Sequence, residues 1–449
     1  ERGDKLVVLD DSTIDSYLPG PLPGNAGAFY SKTSEDLPAW SATWSSDSQI
    51  IQMHIYEIIT DDALWTCDRG DGTCGATKAF TDNLVDENGL IDDSDFLVIG
   101  SSAWSDQGLT LLAWSMGAEL RYRNDTLQIL PPDRVARCLA AFERPVSTTF
   151  RVNTLKADVD SVITRLTAAG FAIRPLSWPA AEAVSAYGVP NEQRRELSES
   201  EACLRGEIYL QNLSSMIPPL VLNPQSGERI LDLAAAPGGK ALQMAGMMGN
   251  LGRLAAVESV GSRFFKMKEI LDRHGVRIAE TYLKDGTGVW RNCPEAFDRV
   301  LLDAPCSGEG RFRSGVPSSY AYWSLRKIRE MARKQKRLMF SAVQCLKPGG
   351  VLVYATCTMA PEENELVVER SLRRFGAALH LEVVRLPIAN LAPGLAQWRS
   401  KELHPDMAHC ARILPDGQME GFFVARIRKT SSTLDDQEKA ERKGPVNWP

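Results

Sequence analysis

The pattern of apolar and polar positions changes character along the chain. Over residues 1–127 periodicity is weak, and Pro19, Pro21 and Pro23 with Gly20 and Gly24 break the chain early. Residues 46–60 fit a strand or a helical turn equally well. From about Gln128 the pattern becomes regular. Residues 148–155 predict a strand. Residues 159–169 predict a helix, with Val162, Ile163 and Leu166 at helical spacing, Asp158 or Asp160 as cap and Gly170 as stop. Residues 171–175 and 207–211 predict further short strands. This is a small α/β lobe over 128–222, bounded by Asn223-Pro224-Gln225-Ser226-Gly227.

Beyond that boundary strands and helices alternate. Strands are predicted at 229–233, 253–258, 299–303 and 351–355, and helices at 241–248, 264–274 and 325–346. The rhythm predicts an α/β domain over 223–429 with a mainly parallel sheet and helices on both faces. Residues 422–427 predict a late antiparallel edge strand, and 430–449 a polar, frayed tail. The chain shows no internal repeats.

With 44% apolar and 24% charged residues, the 449-residue chain is neither fibrous nor wholly disordered. No stretch approaches the ~18 uninterrupted apolar residues of a membrane helix. Nine cysteines are too few for a disulfide scaffold, which points to a reducing, intracellular compartment. The opening Glu1-Arg2-Gly3-Asp4-Lys5 has no initiator Met and no apolar signal core, so the sequence reads as a fragment or a processed chain. The net charge of −6 hides a division. Residues 1–130 hold 7 basic and 22 acidic residues, whereas the remaining 319 hold 44 and 35. The larger part is thus basic, and a polyanion partner stays open for it.

The acidic region yields two weak signals. Residues 82–95 partly resemble a calcium loop, but Leu84 sits where the first ligand should be and Asp95 replaces the bidentate Glu. Cys67 and Cys74 form one pair with no second pair nearby, short of a metal site. An acidic solvated loop is the expectation for the first, and residues 1–127 receive no function.

Residues 231–240 read LDLAAAPGGK: a buried strand, a small-residue turn and a helix start. Ala234, Ala235, Ala236, Pro237, Gly238, Gly239 and Lys240 let backbone N–H groups approach a ligand. The G-x-G-x-x-G of a dinucleotide site is absent. Glu258 ends the next predicted strand, where a carboxylate accepts from ribose hydroxyls. Asp285 ends a third, within reach of an adenine amino group. Each carboxylate alone is more often a cap. In this order they suit the adenosyl group of S-adenosylmethionine.

VLLDAPCSG places Asp303 and Cys306 after one buried strand, and VLVYATC places Cys357 after the next. Both thiols should therefore face the cofactor crevice. A lone cysteine is usually a small apolar filler, the reading kept for Cys138, Cys203, Cys293, Cys345 and Cys410. Two at neighbouring strand ends suggest chemistry. Carbon 5 of a pyrimidine takes a methyl group only after a thiolate has added to carbon 6. That step also needs an acid to support ring nitrogen 3, and later a base.

These segments, with YATCTMAPEENE and ARILPDGQMEGFFVARI, resemble the ordered motifs of the Nop/Sun family of RNA cytosine-5 methyltransferases. RVNTLK and YLQNLSS resemble its small N-terminal lobe. The resemblance covers about 128–429 and implies a Rossmann-like class I methyltransferase domain using S-adenosylmethionine on rRNA or tRNA. It implies that Cys357 is the nucleophile, that Cys306 assists release, that Asp303 supports the cytosine and that Lys240 sits near the methyl acceptor. Ala234–Lys240, Glu258, Asp285 and Asp303 would hold the cofactor. Departures are Ala234 where Cys is frequent, Ala241 where Thr is, and Asn212 where Asp is.

Residues 311–337 hold nine Lys/Arg and one acid, Glu330. Arg311, Arg313, Arg326, Lys327, Arg333, Lys334, Lys336 and Arg337 are the candidate RNA contacts, and Phe312, Tyr320, Tyr322 and Trp323 the candidate stacking rings. A solvated helix face is the plain alternative. Gln335 interrupts the buried stripe of the 325–346 helix, so it should bond backbone near the crevice. The expected protein is a monomer away from membranes. Two other readings remain: a DNA cytosine-5 methyltransferase attacking with Cys306, and a catalytically idle RNA-binding protein on the same fold.

Overall fold

The computed structural model describes residues 134–143, 146–176, 184–313, 316–399 and 401–434, with Ile129 and seven short strands in the first 100 residues. The chain divides into two units near Gln128. In the first, Leu6–Asp10, Asp62–Cys67 and Cys74–Thr77 make a three-stranded sheet. Ala26–Phe29, Trp40–Trp44, Ile50–His54 and Ile99–Gly100 make a four-stranded one. The undecided segment 46–60 therefore contains a strand. The calcium-like loop 82–95 and the side chains of Cys67 and Cys74 lie outside the described residues.

The second unit opens with a short helix, Val135–Phe142, and a small antiparallel sheet follows. Strands β1 (Thr148–Val152), β2 (Arg174–Pro175), β3 (Ala186–Val189) and β4 (Ile208–Leu210) lie in the order β4-β1-β3-β2. Helix α1 (Val159–Ala168) starts where Asp158 accepts from the Ser161 N–H and ends before Gly170, at φ +92°. Its Val162 and Leu166 pack on Phe150, Val152 and Ile208, burying the apolar face of the sheet.

Helix α2 (Leu213–Leu222) follows, capped by Asn212, whose side chain accepts from the Ser214 N–H. Sequence reading passed it over because Pro218 and Pro219 lie inside it. Leu213, Met216, Ile217 and Leu222 join Ile230, Leu242 and Met244 in the core of the larger sheet. This part of the predicted small lobe thus packs with the domain that follows.

The larger sheet uses β5 (Arg229–Asp232), β6 (Arg253–Glu258), β7 (Ala279–Leu283), β8 (Phe297–Asp303) and β9 (Leu346–Thr356), all parallel. Helices α3 (Gly239–Met247) and α4 (Gly261–Arg273) connect the first three strands. Helix α5 (Leu325–Cys345) precedes β9, and α6 (Glu365–Phe375) follows it. The chain then adds β10 (Leu379–Glu382), β11 (Leu391–Pro393), β12 (Ala411–Ile413) and β13 (Phe422–Lys429). The order is β7-β6-β5-β8-β9-β13-β12-β11, with β10 also on β13.

Strand β13 is antiparallel as expected, but it is interior rather than an edge. Its eight residues pair with β9 on one side and with β12 and β10 in succession on the other. The strand runs two residues past the expected 422–427, and its last residue, Lys429, is fully buried and donates to the Val343 and Leu346 carbonyls. The strand order reverses between β5 and β8, and the carboxyl ends of the parallel strands open there into a crevice.

Candidate active site

A cleft of about 680 Å³ lies at this reversal, lined by the ends of β5, β6, β8 and β9, the start of α3 and part of α5. After β5 the chain turns through Ala234–Gly238. The Ala235 N–H donates to Val257 O at 2.8 Å, and the Gly238 N–H donates to Ala235 O at 2.8 Å. Gly238 adopts φ +107°, a conformation costly for any side chain. A Cβ on Gly239 would sit 2.5 Å from the Tyr209 ring. The turn thus brings bare backbone to the mouth of the cleft. Buried Arg151 ties it to the small lobe, donating to Gln211 Oε1 at 2.9 Å and to Gly239 O at 3.1 Å.

Three carboxylates sit at successive strand ends. Glu258 is 3% exposed; its Oε1 accepts from the Val260 N–H at 2.8 Å, and its Oε2 lies 3.5 Å from Arg263. Asp285 accepts from the Thr287 N–H at 2.9 Å. Asp232 was not singled out from sequence, although it ends β5 as Glu258 ends β6. It is 1% exposed and neither oxygen makes a hydrogen bond of full geometry. Burial, then the charge of Asp303, pushes its carboxyl up to about 7, against the partial relief of Lys240 and the Ala234 amide.

Lys240 pairs with Asp303 at 2.7 Å and donates to Ser215 Oγ at 2.6 Å. Beyond Asp303 the chain carries Cys306 into the cleft, 3.2 Å from Cys357 at the end of β9. The hydrogen bond with Cys306 lowers the Cys357 thiol despite burial, and the Arg311 guanidinium lowers it further. The same bond and burial hold Cys306 well above the ordinary thiol range. Of the two, Cys357 is the thiol whose charge Arg311 favours.

The loop bearing Cys306 is clamped at several points. The Gly310 N–H donates to Cys357 O, and the Gly421 N–H to Gly310 O, both at 2.9 Å. A Cβ on Gly310 would lie 2.0 Å from Gly421 O, so only glycine fits. Gln335 meets its expectation, donating to Pro305 O at 2.9 Å, and it also donates to Glu363 at 2.7 Å. Glu363 accepts from the Ser307 N–H at 3.0 Å, and burial pushes its carboxyl up to about 8. Sequence reading missed Glu363 because it stands in the acidic run Glu362-Glu363-Asn364-Glu365.

The predicted RNA contacts divide. Arg311 and Lys334 line the cleft. Arg326, Arg333 and Arg337 are exposed. Lys327 pairs with Glu330 at 3.0 Å and Arg313 with Glu420 at 3.3 Å. Lys336 and Arg337 face a second cleft. The aromatic expectation needs correction. Phe312 and Tyr320 are buried, and Trp323 packs on Phe312 while donating to Glu309 at 2.9 Å. The rings hold the loop together, and only Tyr322 of the four, 86% exposed, is open to a base. Among the described residues no acid, His or Cys cluster could hold a metal ion, and no helix is long and apolar enough to cross a membrane.

A Rossmann-like sheet with a small-residue turn and paired thiols at its reversal defines a methyltransferase class rather than a dinucleotide enzyme. Residues 219–428 match the family model described as 16S rRNA methyltransferase RsmB/F. A relative from Pyrococcus abyssi named tRNA (cytosine(49)-C(5))-methyltransferase is 40% identical over 289 residues, 64% of this chain and 89% of the relative. Ribosomal RNA small subunit methyltransferase F of Vibrio campbellii is 37% identical over 299 residues, 66% of this chain but 59% of the relative. The chain thus spans about three-fifths of the length of that ribosomal relative. A solved methyltransferase homologue from Pyrococcus horikoshii is 33% identical with a TM-score of 0.57, over 67% of this chain and 92% of that one. The chain belongs to the Nop/Sun family of RNA cytosine methyltransferases, and its class is RNA methyltransferase.

Proposed function

We propose that this chain transfers a methyl group from S-adenosylmethionine to carbon 5 of a cytosine in tRNA or rRNA, through a covalent bond between Cys357 and carbon 6. The observation that carries the reading is the pair of thiols 3.2 Å apart in the cleft, with Arg311 favouring charge on Cys357. The cleft suits the cofactor. Asp232 would offer a buried carboxylate to an ammonium, the Gly238–Gly239 backbone leaves room, and Glu258 Oε2 would accept from a ribose hydroxyl. Bound there, S-adenosylmethionine would supply an electrophilic methyl group.

The Cys357 thiolate adds to carbon 6, and the ring electron pair moves to carbon 5, which would take the methyl group as its bond to the sulfonium breaks and a neutral thioether leaves. Asp303, held by Lys240, supports a proton at ring nitrogen 3. A base then removes the proton on carbon 5, the double bond re-forms and Cys357 leaves as thiolate. Cys306 suits that last step. Its thiol is held high by Cys357, and that cause disappears once Cys357 has become a thioether. Arg311, Lys334 and the exposed Arg326, Arg333 and Arg337 would meet the RNA backbone.

The test is a denaturing gel with labelled RNA and cofactor. Cys306→Ala should accumulate a slow band that nuclease removes. Cys357→Ala should give neither band nor methylation. The reverse pattern makes Cys306 the nucleophile, as in the DNA-type layout. Wild type that binds RNA but never methylates it is the idle binding protein.

A further inference from the structure

A second cleft, of about 310 Å³, lies between α5, α6 and the turn Gly286–Arg291. Five cationic side chains line it, Arg291, Lys336, Arg337, Arg370 and Arg374, and no carboxylate does. Among the described residues none of the five forms an ion pair. Two are held in place by rings: Arg374 lies 4.3 Å from the Phe340 centroid and Arg291 4.9 Å from that of Trp290. Arg337 donates to Thr287 Oγ1 at 3.4 Å. Such concentrated like charge is costly without a counter-charge. Lys336 feels the cost directly: burial, then the repulsion of Arg370 and Lys401, lowers its ammonium, against partial relief from Glu362 outside the cleft lining.

Two elements are shared with the reaction cleft. Lys334 and Leu338 of α5 line the first cleft, and Lys336 and Arg337 the second. Asp285 and Gly286 line the first, and Thr287 the second. The two openings are therefore neighbours around one helix and one turn.

We propose that this second cleft grips a backbone phosphate of the RNA strand flanking the target cytosine. A phosphodiester carries two free oxygens, which match the forked donors of arginine, and ring-held guanidinium groups lose little freedom on binding. Neither the catalytic thiols nor the adenosyl site reaches this cleft, so it adds affinity for substrate RNA without touching the reacting atoms. The proposal rests on the RNA reading above.

The experiment measures RNA affinity by fluorescence anisotropy at several salt concentrations. It compares wild type with Arg291→Gln/Arg370→Gln, and with Lys336→Gln should the double variant not fold. The slope of log K against log salt should fall by about one unit per lost phosphate contact. KM for RNA should rise while kcat at saturating RNA and the cofactor Kd stay put. An unaltered slope with RNA still bound overturns this proposal alone. Wild type that binds no RNA overturns the functional reading with it. If millimolar inorganic phosphate raises the Tm of wild type but not of the variants, and the slope is unaltered, the cleft is a small-anion site and the proposal fails.

Discussion

Glu258→Gln separates the proposed ribose contact from the turn that Glu258 also supports. The carboxylate divides its work between its two oxygens. Oε1 takes the Val260 N–H at 2.8 Å and the Ser259 hydroxyl at 3.4 Å, while Oε2 has only Arg263, 3.5 Å away. Glutamine keeps one acceptor for Val260 and replaces the other oxygen with a donor. The turn survives, and a ribose hydroxyl loses a charged acceptor. Hydrogen bonds to charged groups contribute about 1.5–3 kcal/mol. At about 1.4 kcal/mol per tenfold, the cofactor Kd should weaken about 10- to 150-fold. The Arg263 side chain is 52% exposed, so solvent screens most of what its lost partner would add. Calorimetry with S-adenosylmethionine gives the Kd, and a thermal melt run alongside shows whether the turn held. A variant that melts like wild type and binds cofactor within about threefold of it, against the tenfold minimum expected from a lost charged bond, would refute the ribose role.

Arg311→Met tests the electrostatics of the thiol pair. Arg311 lowers Cys357, so without it the thiolate forms at higher pH, and the acid limb of the methylation rate should move upward. A limb that stays where it was leaves Arg311 to RNA contact alone. Asp232→Asn tests the buried carboxylate through stability. Its folded pKa of about 7 exceeds the unfolded value near ~3.9, so between these values the folded chain keeps a proton that the unfolded chain has lost. Stability from this group is present below pH ~4 and lost as pH rises through 7. The cofactor-free Asn variant should melt above wild type at pH 8, by at most about 4 kcal/mol, and alongside it near pH 4. An equal shift at both pH values would place the effect in packing.

Four of the five parallel strands were legible because each carries a short apolar run that ends in a turn, whereas the edge strand β7, Ala-Glu-Thr-Tyr-Leu, has no such run and was signalled only through Asp285. The elements that escaped have local chemistry at odds with their final state. Pro218 and Pro219 argue against a helix, yet α2 forms because its apolar side chains fill the core beside α3. Strand β3 is four residues with Gly188 inside, too short to announce itself without β1 and β2 on either side. The polar end of β13, beyond the expected 422–427, is interior because Lys429 finds two carbonyls and Glu295 in the core. In the site, motif spacing brought Cys306, Cys357, Asp303, Lys240, Glu258 and the small-residue turn into one cleft. Asp232 and Glu363 escaped because their importance lies in burial, which a single sequence does not display.

The connection between α5 and the Cys306 loop carries the last step of the argument. Helix α5 bears the basic face, and its Gln335 holds Pro305, the residue before Cys306. The same side chain reaches Glu363, which holds the Ser307 N–H on the other side of the thiol. Gly310 then ties the loop to Cys357 and, through Gly421, to the turn before β13. On the proposed function, a strand of RNA held by α5 would be registered against the same clamped loop that sets the thiol separation. Gln335 is buried, and its amide donors go to Pro305 and Glu363 while its Oε1 has no partner among the described residues, a cost the helix carries to hold the loop. The proposed addition at carbon 6 gives that cost a geometric purpose: it would need the reacting atoms within about 3–3.5 Å, and a loop free to slide would forfeit that alignment. The small-residue contact at Gly310, the hydrogen-bonded glutamine and the buried Glu363 are therefore parts of one device, which holds two thiols at fixed separation beside the basic face of α5.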